Sequence, residues 1–277
     1  MTENHMVKGS DIMDDYMFQN VMENKDNCQA FLDSLFPDKK FKVIDAYPQK
    51  RIWPLDIEKP TIMDILAKDD KGVQYNLEMQ VKSQPFRDER AEFYSSRLVQ
   101  KALYKGENYD ELRRTYVIFI FASDPFNENL RRYTIKNSVV ESKRAHFNGK
   151  SAIIYLNSQG TKGKITTDLQ DFLNLMEDKP VSNGKAIRQI QETMENVGKT
   201  KDWRQRSMSI QYKIDAAKEA GIKQGSEKTR LEDIKKLIRV LRLDGNNDSV
   251  ILNKSLAFYG DDFSKEELSH IITETKE

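Results

Sequence analysis

The most regular alternation of apolar and polar positions in the chain lies between Val73 and Lys82. Two sets of side chains point to opposite faces, namely Val73, Tyr75, Leu77, Met79 and Val81 on one and Gln74, Asn76, Glu78, Gln80 and Lys82 on the other. The segment Thr61–Lys68 precedes this run and is separated from it by Asp69, Asp70, Lys71 and Gly72, which are turn formers. The pattern predicts a β-hairpin.

Other segments complete the predicted order of elements. The predicted helices are Ser10–Phe36, Phe86–Lys105 and Thr166–Glu177, and the remaining strands are Phe41–Tyr47, Gln49–Trp53, Thr115–Ala122 and Ser151–Leu156. Thr115–Ala122 is almost entirely apolar, which predicts a central strand covered on both faces. With the two short segments on either side of Pro48 counted as one interrupted strand, the order α-β-β-β-α-β predicts an α/β fold with a mixed α+β sheet rather than a simple doubly wound alternation.

The chain changes character near residue 180, after which it is highly charged, helical in pattern and free of strand signals. We therefore predict two domains, 1–180 and 181–277, of which the second is an all-helical tail. This tail is a candidate module for homo-oligomerisation or partner binding. Its last two predicted helices resemble a helix-turn-helix in order, but they carry few cations with which to read DNA.

Composition narrows the function classes without choosing one. The chain has 277 residues, of which 32% are charged, and its formal net charge is only +1, so any nucleic-acid site must be a local patch. Cys28 is the only cysteine, which excludes an internal disulfide and argues against a Cys/His zinc site. No apolar run is long enough for a signal peptide or a membrane span. We expect a soluble, cytoplasmic protein without a membrane partner.

The predicted hairpin brings two carboxylates together. Folding about Asp70 and Lys71 sets Asp64 opposite Leu77 or Glu78, and in either register the acids share a face at roughly 5–8 Å. Like charges at that separation repel, so a divalent cation is the obvious compensation. Hard oxygen ligands suit Mg²⁺ or Mn²⁺. Gln80 follows on the same face and can hydrogen-bond an attacking water or a phosphate oxygen.

A second feature lies on the predicted helix Phe86–Lys105. Arg90, Tyr94, Arg97 and Lys101 fall at i, i+4, i+7 and i+11, which places three cations and a phenol on one stripe that could contact successive phosphates. Both features have a plainer interpretation. An acidic, amide-rich strand face and a basic helix stripe are each typical of solvated surface. Similarly, Asp14 and Asp15 are typical of helix caps rather than ligands.

Taken in order, these residues resemble a known family. Asp15-Tyr16-Met17-Phe18, Asp64, Glu78-Met79-Gln80, Arg90, Tyr94, Arg97, Gly106 and Tyr109 are similar to the pattern of PD-(D/E)XK nuclease family transposases, also called Rpn recombination-promoting nucleases. The resemblance covers roughly residues 10–125. It implies a restriction-endonuclease-like αβββαβ core, which agrees with the element order predicted above.

The resemblance also implies metal-dependent hydrolysis of DNA phosphodiesters. Asp64 would be the acidic residue of the motif, Glu78 the glutamate of its (D/E)XK element, and the Met79 backbone carbonyl a further metal ligand. The wider superfamily has lysine where this chain has Gln80, and relatives tend to carry lysine at the position of Gln19. Lys82 or Lys59 are candidates for the missing cation.

The leading hypothesis is a Mg²⁺-dependent DNA endonuclease that promotes recombination or transposition-like events. In it Asp64, Glu78 and Gln80 are catalytic, Asp64, Glu78 and Met79 hold the metal, and Arg90, Tyr94, Arg97 and Lys101 contact DNA. The alternative is a weakly active or inactive nuclease-fold protein that acts as a DNA-binding, regulatory or interaction module. The absence of lysine at position 80 and the modest net charge favour that alternative.

Overall fold

The computed structural model describes residues 7–52, 61–81, 87–260 and 262–275, without the side chains of residues 50–52, 61, 222–224, 226 and 227. A six-stranded mixed sheet in the order β1-β2-β3-β4-β6-β5 forms the centre of the fold. Its strands are β1 (Val43–Ile52), β2 (Thr61–Asp69), β3 (Gln74–Gln80), β4 (Thr115–Phe121), β5 (Arg132–Ile135) and β6 (Ser151–Asn157).

Helices cover the sheet and extend the chain beyond it. They are α1 (Asp15–Met22), α2 (Lys25–Leu35), α3 (Arg87–Lys101), α4 (Thr167–Met176), α5 (Lys185–Gly198), α6 (Lys201–Leu243), α7 (Asp248–Tyr259) and α8 (Lys265–Glu274). Short 3₁₀ turns span Gly9–Met13 and Tyr109–Glu111. Among the described helices, none is long and apolar enough to cross a membrane.

The strand pairing confirms the predicted mixed α/β architecture. β1, β2 and β3 are antiparallel neighbours, whereas β3, β4 and β6 run parallel. All seven residues of β4 are buried, as its apolar composition predicts for a central strand. The predicted order α-β-β-β-α-β is that of α2, β1, β2, β3, α3 and β4.

Two hydrophobic layers place α3 opposite the hairpin. One layer packs α1, α2, α4 and α5 against one face of the sheet, and it includes Phe18, Phe31, Leu77 and Phe172. The other layer packs α3 on β4 and β6, with Leu98 and Phe119 at its centre. The polar face of β3 therefore lies on the side of the sheet that carries α3.

The predicted first helix, Ser10–Phe36, is wrong as a single element. The structure divides it into a 3₁₀ turn, α1 and α2. Asp14 Oδ1 accepts the backbone N–H of Tyr16 at 2.9 Å and caps α1, as predicted, while Asn24 caps α2 in the same way. A side-chain cap accepts backbone N–H groups that would otherwise bond within a continuous helix. Each cap therefore allows a new helix to begin with a different direction of its axis.

The strands before the hairpin also differ from the prediction. Phe41–Tyr47 and Gln49–Trp53 were predicted as two strands broken by Pro48, but β1 runs through that proline, and Pro48 pairs with Ile65. An edge strand tolerates proline because one row of its backbone donors has no strand to bond. Gln49 absorbs the local distortion with φ of +46°. Trp53 lies outside the described residues.

The remaining differences concern two elements in the second half of the sheet. β5 was not predicted, since Arg132–Ile135 is short and only partly buried. The helix predicted to end at Lys105 ends at Lys101 instead, and a turn that includes Gly106, with φ of +92°, follows it. Phe86, its predicted start, lies outside the described residues.

The chain forms two compact units, Met1–Arg204 and Gln205–Glu277. The first unit includes α5, which packs on α1, α2 and α4. This unit therefore extends past residue 180, near which we predict the domain boundary. The second unit has its own core, to which Ile234, Ile251 and Leu268 contribute from α6, α7 and α8. The role of this helical tail in assembly remains a prediction.

Candidate metal centre

The hairpin that carries the two acids is fixed by its turn. The buried carboxylate of Asp69 accepts the backbone N–H groups of Lys71 and Val73, each at 2.9 Å. The Asp69 backbone carbonyl accepts the N–H of Gly72, whose φ is +76°. β2 and β3 then pair in a register that sets Ile65 opposite Leu77. One step further along the ladder, Asp64 faces Glu78, which is one of the two predicted registers.

Asp64 and Glu78 are joined by reciprocal hydrogen bonds between backbone and side chain. The backbone N–H of Asp64 donates to Glu78 Oε1 at 3.2 Å, and the backbone N–H of Met79 donates to Asp64 Oδ2 at 3.1 Å. Asn76 Nδ2 also donates to Glu78 Oε1, at 3.0 Å. These bonds hold each carboxyl group against the neighbouring strand, and both residues lie on the α3 side of the sheet.

Burial makes this pair electrostatically unfavourable by itself. Glu78 is fully buried, and burial raises the pKa of its carboxyl, as does the neighbouring charge of Asp64. Burial likewise raises the pKa of Asp64, although the hydrogen bond from Met79 opposes the change and the charge of Asp15 adds to it. Two carboxylates withdrawn from water in this way favour a bound cation.

Arg90 supplies a positive charge at this point. One guanidinium nitrogen lies 3.3 Å from Glu78 Oε2 and 3.2 Å from the Tyr94 hydroxyl, and the other lies 3.3 Å from Gln80 Oε1. The guanidinium also stacks on the Tyr94 ring, 5.1 Å from its centroid, and Tyr94 donates to the backbone carbonyl of Ile62. Tyr94 and Gln80 therefore hold Arg90 beside the acids.

The predicted basic stripe of α3 is divided between different surroundings. Arg90 and Tyr94 lie in the carboxylate cluster, but Arg97 is buried against Phe93 and hydrogen-bonds Gln100 at 3.2 Å. Lys101 occupies the last turn of α3, where its backbone carbonyl accepts the side-chain amide of Gln74. Contact of these four residues with DNA remains a prediction.

The predicted Met79 carbonyl ligand is consistent with the direction of the backbone. Gln80 directs its carbonyl toward β4, where Ala122 N–H donates to it at 3.2 Å. Successive residues of a strand direct their backbone groups to opposite sides, so the Met79 amide and carbonyl face β2 and Asp64. The bond from Met79 N–H to Asp64 shows that this geometry is realised.

Sequence analysis missed two residues of the cluster. Asn76, which bonds Glu78, lies two positions before it on the same strand face, so the alternation of β3 was the available signal. Asp15 is the other such residue. The sequence offers both Asp14 and Asp15 as helix caps, but only Asp14 caps α1, and, in addition to burial, the charge of Asp15 raises the pKa of Asp64. No sequence pattern placed α1 beside the hairpin. Lys59 and Lys82 lie outside the described residues.

The donor set fits a small divalent ion that retains water. Within the described part of the chain, no group of three or more acidic, histidine or cysteine side chains could hold a metal. The available donors are the two carboxylates and a backbone carbonyl, all hard oxygens. Mg²⁺ is commonly bound by one or two carboxylates, with waters and substrate phosphates completing six ligands. Asp64 and Glu78 meet that requirement, whereas a fully protein-coordinated site is not present among these residues.

The mixed α/β fold is consistent with that of a PD-(D/E)XK nuclease. The family model for PD-(D/E)XK nuclease family transposases matches residues 12–224. The chain belongs to the PD-(D/E)XK nuclease family transposases, as the resemblance of its motifs predicts. No curated protein and no solved structure matches the chain significantly.

Proposed function

We propose that this protein is a divalent-metal-dependent DNA endonuclease that promotes recombination or transposition-like events. The observation that carries the proposal is the facing pair of Asp64 and Glu78, each of which accepts a backbone N–H from the other's strand, at 3.1 and 3.2 Å. Membership of a nuclease family supports the reaction type. Mg²⁺ is the proposed ion, with Mn²⁺ as the alternative.

The residues of the centre divide the proposed work between them. Asp64, Glu78 and the Met79 carbonyl would hold the ion. When bound, such an ion lowers the pKa of water and offsets charge on a phosphoryl oxygen. The Gln80 side chain, at the exit of β3, would orient the attacking water by hydrogen bonding, since an amide has no acid–base capacity near neutral pH.

Arg90 is our proposed replacement for the superfamily lysine. Gln80 carries no charge, but the Arg90 guanidinium lies 3.3 Å from its Oε1 and equally close to Glu78 Oε2. Its side chain is 30% exposed and therefore accessible from the solvent side of the centre. Fixed cations that face a developing negative charge commonly contribute about 10²–10³-fold in rate. Arg90 would act on the phosphate rather than on the resting carboxylate.

The direct test is nicking of supercoiled plasmid DNA with Mg²⁺, with Mn²⁺ and with EDTA. We expect metal-dependent nicking by the wild type and none by Asp64→Ala. Glu92→Ala is the matched control, because it removes an exposed carboxylate from the same unit without touching the centre. Equal nicking by the wild type and Asp64→Ala would remove the assignment.

A second candidate function is DNA binding without catalysis, and one observation favours it. The Arg90 guanidinium already pairs with Glu78, so the chain has its own cation at the position where a metal would be held. Calorimetric titration with Mn²⁺ separates the two functions. A catalytic centre predicts binding that disappears in the double variant Asp64→Ala/Glu78→Ala. Binding that survives in that variant would show that the ion is held elsewhere.

A further inference from the structure

A trough on the same sheet face as the candidate metal centre has no role in the function proposed above. It is a cavity of about 400 Å³ whose lining includes Tyr47, Leu66, Lys68, Lys101, Tyr104 and Lys105. Its volume is within the range of about 300–1,000 Å³ typical of small-molecule sites, which is large enough for one nucleotide. All of its lining residues belong to the first compact unit.

The trough lies on the same face of the sheet as the carboxylate pair. Leu66 and Lys68 follow Asp64 at alternate positions of β2, so they share its face and lie about 7 and 13 Å further along the strand. Tyr47 pairs with Leu66, and Asp45 pairs with Lys68, which places both β1 residues on that face. The cavity shows that this part of the sheet, beside the C-terminal end of α3, has room for a ligand.

The lining of the trough combines positive charge with exposed aromatic rings. Three lysines, at positions 68, 101 and 105, face one acid, Asp45, which itself lies 3.9 Å from Lys25. Tyr47 and Tyr104 are 46% and 50% exposed, so part of each ring is open to the solvent. A cationic groove with aromatic platforms is the recurrent solution for binding an unpaired nucleic-acid strand.

Tyr104 is supported by an ion pair outside the trough. Glu107 accepts the Tyr104 backbone N–H at 2.7 Å and forms a two-point ion pair with Arg113 at 2.5 and 2.6 Å. The Arg113 guanidinium stacks on the Tyr104 ring, 4.9 Å from its centroid, and Arg113 does not line the trough. Lys68 Nζ is 3.5 Å from the Tyr104 hydroxyl on the trough side. A preorganised ring of this kind loses little entropy when a base stacks on it.

We propose that this trough binds single-stranded DNA next to the cleavage point, with an unpaired base stacked on Tyr104 and phosphates paired with Lys68 and Lys101. The inference rests on the proposed function, because it takes DNA as the substrate. It adds a preference for substrates that are unpaired on one side of the scissile bond. A flat base in the trough accounts for the rings, whereas phosphates alone account only for the lysines.

The test is fluorescence anisotropy in EDTA, with fluorescein-labelled oligo(dT) and a duplex of the same length as probes. Loss of one base stack predicts that Tyr104→Ala weakens oligo(dT) binding about 5- to 150-fold, whereas Tyr104→Phe, which keeps the ring, stays within about twofold. We expect Lys68→Gln to reduce the salt dependence of binding by about 0.7 in the logarithmic slope. Lys143→Gln, in an exposed loop of the same unit, is the matched control and should leave that slope unchanged.

Several outcomes would overturn the proposal. An unchanged oligo(dT) affinity in folded Tyr104→Ala, an equal loss in Tyr104→Phe, or an equal loss for the duplex would each show that no base stacks there. The thermal midpoint of each variant, measured alongside, shows whether it is folded. Because binding is measured without metal, the result is independent of the nicking assay. If the wild type does not nick plasmid DNA, the proposed binding of single-stranded DNA in the trough is unaffected. If Tyr104→Ala nicks normally and binds oligo(dT) with unchanged affinity, the trough proposal is wrong while the proposed nuclease function is retained.

Discussion

Replacing Asp64 with asparagine should stabilise the metal-free protein while abolishing its response to metal. Asparagine keeps an oxygen that can accept the Met79 N–H, which now bonds Asp64 Oδ2 at 3.1 Å. It also removes one of two facing negative charges, and its amide can donate toward Glu78. The substitution therefore isolates the electrostatic cost of the carboxylate pair from the geometry of the hairpin.

The size of the effect follows from the separation of the charges. Two carboxylates about 5 Å apart, at an effective dielectric constant of about 20, repel by about 3 kcal/mol, and partial protonation relieves some of this. We expect a gain of about 1–3 kcal/mol, which at about 2–4 °C per kcal/mol for a unit of this size is a rise of about 2–12 °C in the melting temperature.

The sign of the pH dependence is fixed by the direction of the pKa shifts. Burial raises the pKa of both carboxyls above their unfolded-state values, and the charge of Asp64 adds to the rise at Glu78, so the folded state binds protons more tightly. Stability is then lost as the pH rises through the raised values, and the cost is absent below the unfolded-state values of about 4. The advantage of Asp64→Asn should therefore be larger at about pH 8 than at about pH 5.

Differential scanning fluorimetry in EDTA and in Mg²⁺ measures these quantities. Magnesium at about 100 times its dissociation constant should stabilise the wild type by about 2.7 kcal/mol and the variant by little. Glu92→Gln, which alters an exposed charge of α3, should stay within about 0.5 kcal/mol of the wild type. A variant that melts below the wild type in EDTA at about pH 8 would refute the reasoning, since it would mean that Asp64 is net stabilising without metal.

Three further predictions concern other parts of the first unit. Arg90→Gln should lower the metal-dependent nicking rate by about 10²-fold. Arg90→Lys should lower it less, because lysine keeps the charge but loses the two-pronged guanidinium. Equal plasmid-nicking rates for Arg90→Gln and the wild type would exclude a role of Arg90 in catalysis. Asp69→Ala should reduce the free energy of unfolding by about 2–4 kcal/mol in urea titrations, since Asp69 accepts two backbone N–H groups and the Tyr75 hydroxyl; a loss below about 1 kcal/mol would contradict this. Burial raises the pKa of the Cys28 thiol to about 12, so it should react with a thiol reagent only after unfolding; rapid labelling of the native protein would show that Cys28 is accessible.

Local patterns were sufficient to predict the hairpin and the central strand. Alternation of polar and apolar residues set the faces of β3, and the turn formers at Asp69–Gly72 set the register to within one residue. The continuous apolar run of β4 marked its central position. These signals work because they depend on neighbouring residues, whose periodicity matches the geometry of a strand.

Predictions failed where a distant partner decides the conformation. Pro48 argued for a break, yet pairing with β2 carries β1 through it, and only the edge position of β1 makes this tolerable. The single helix predicted from Ser10 was divided because Asp14 and Asn24 cap shorter pieces that pack separately. Such choices are made by tertiary packing, which outweighs intrinsic propensity.

The sequence by itself determined that Asp64 and Glu78 would approach each other, because strand period and turn chemistry are local properties. It also determined the family, through motifs in a fixed order. Only the tertiary structure decided that the two arginines of α3 have different surroundings. Arg90 reaches Glu78, whereas Arg97 is buried against Phe93. The physical reason is that helical spacing fixes which residues share a stripe, but only the packing of α3 on the sheet determines what each residue of that stripe meets.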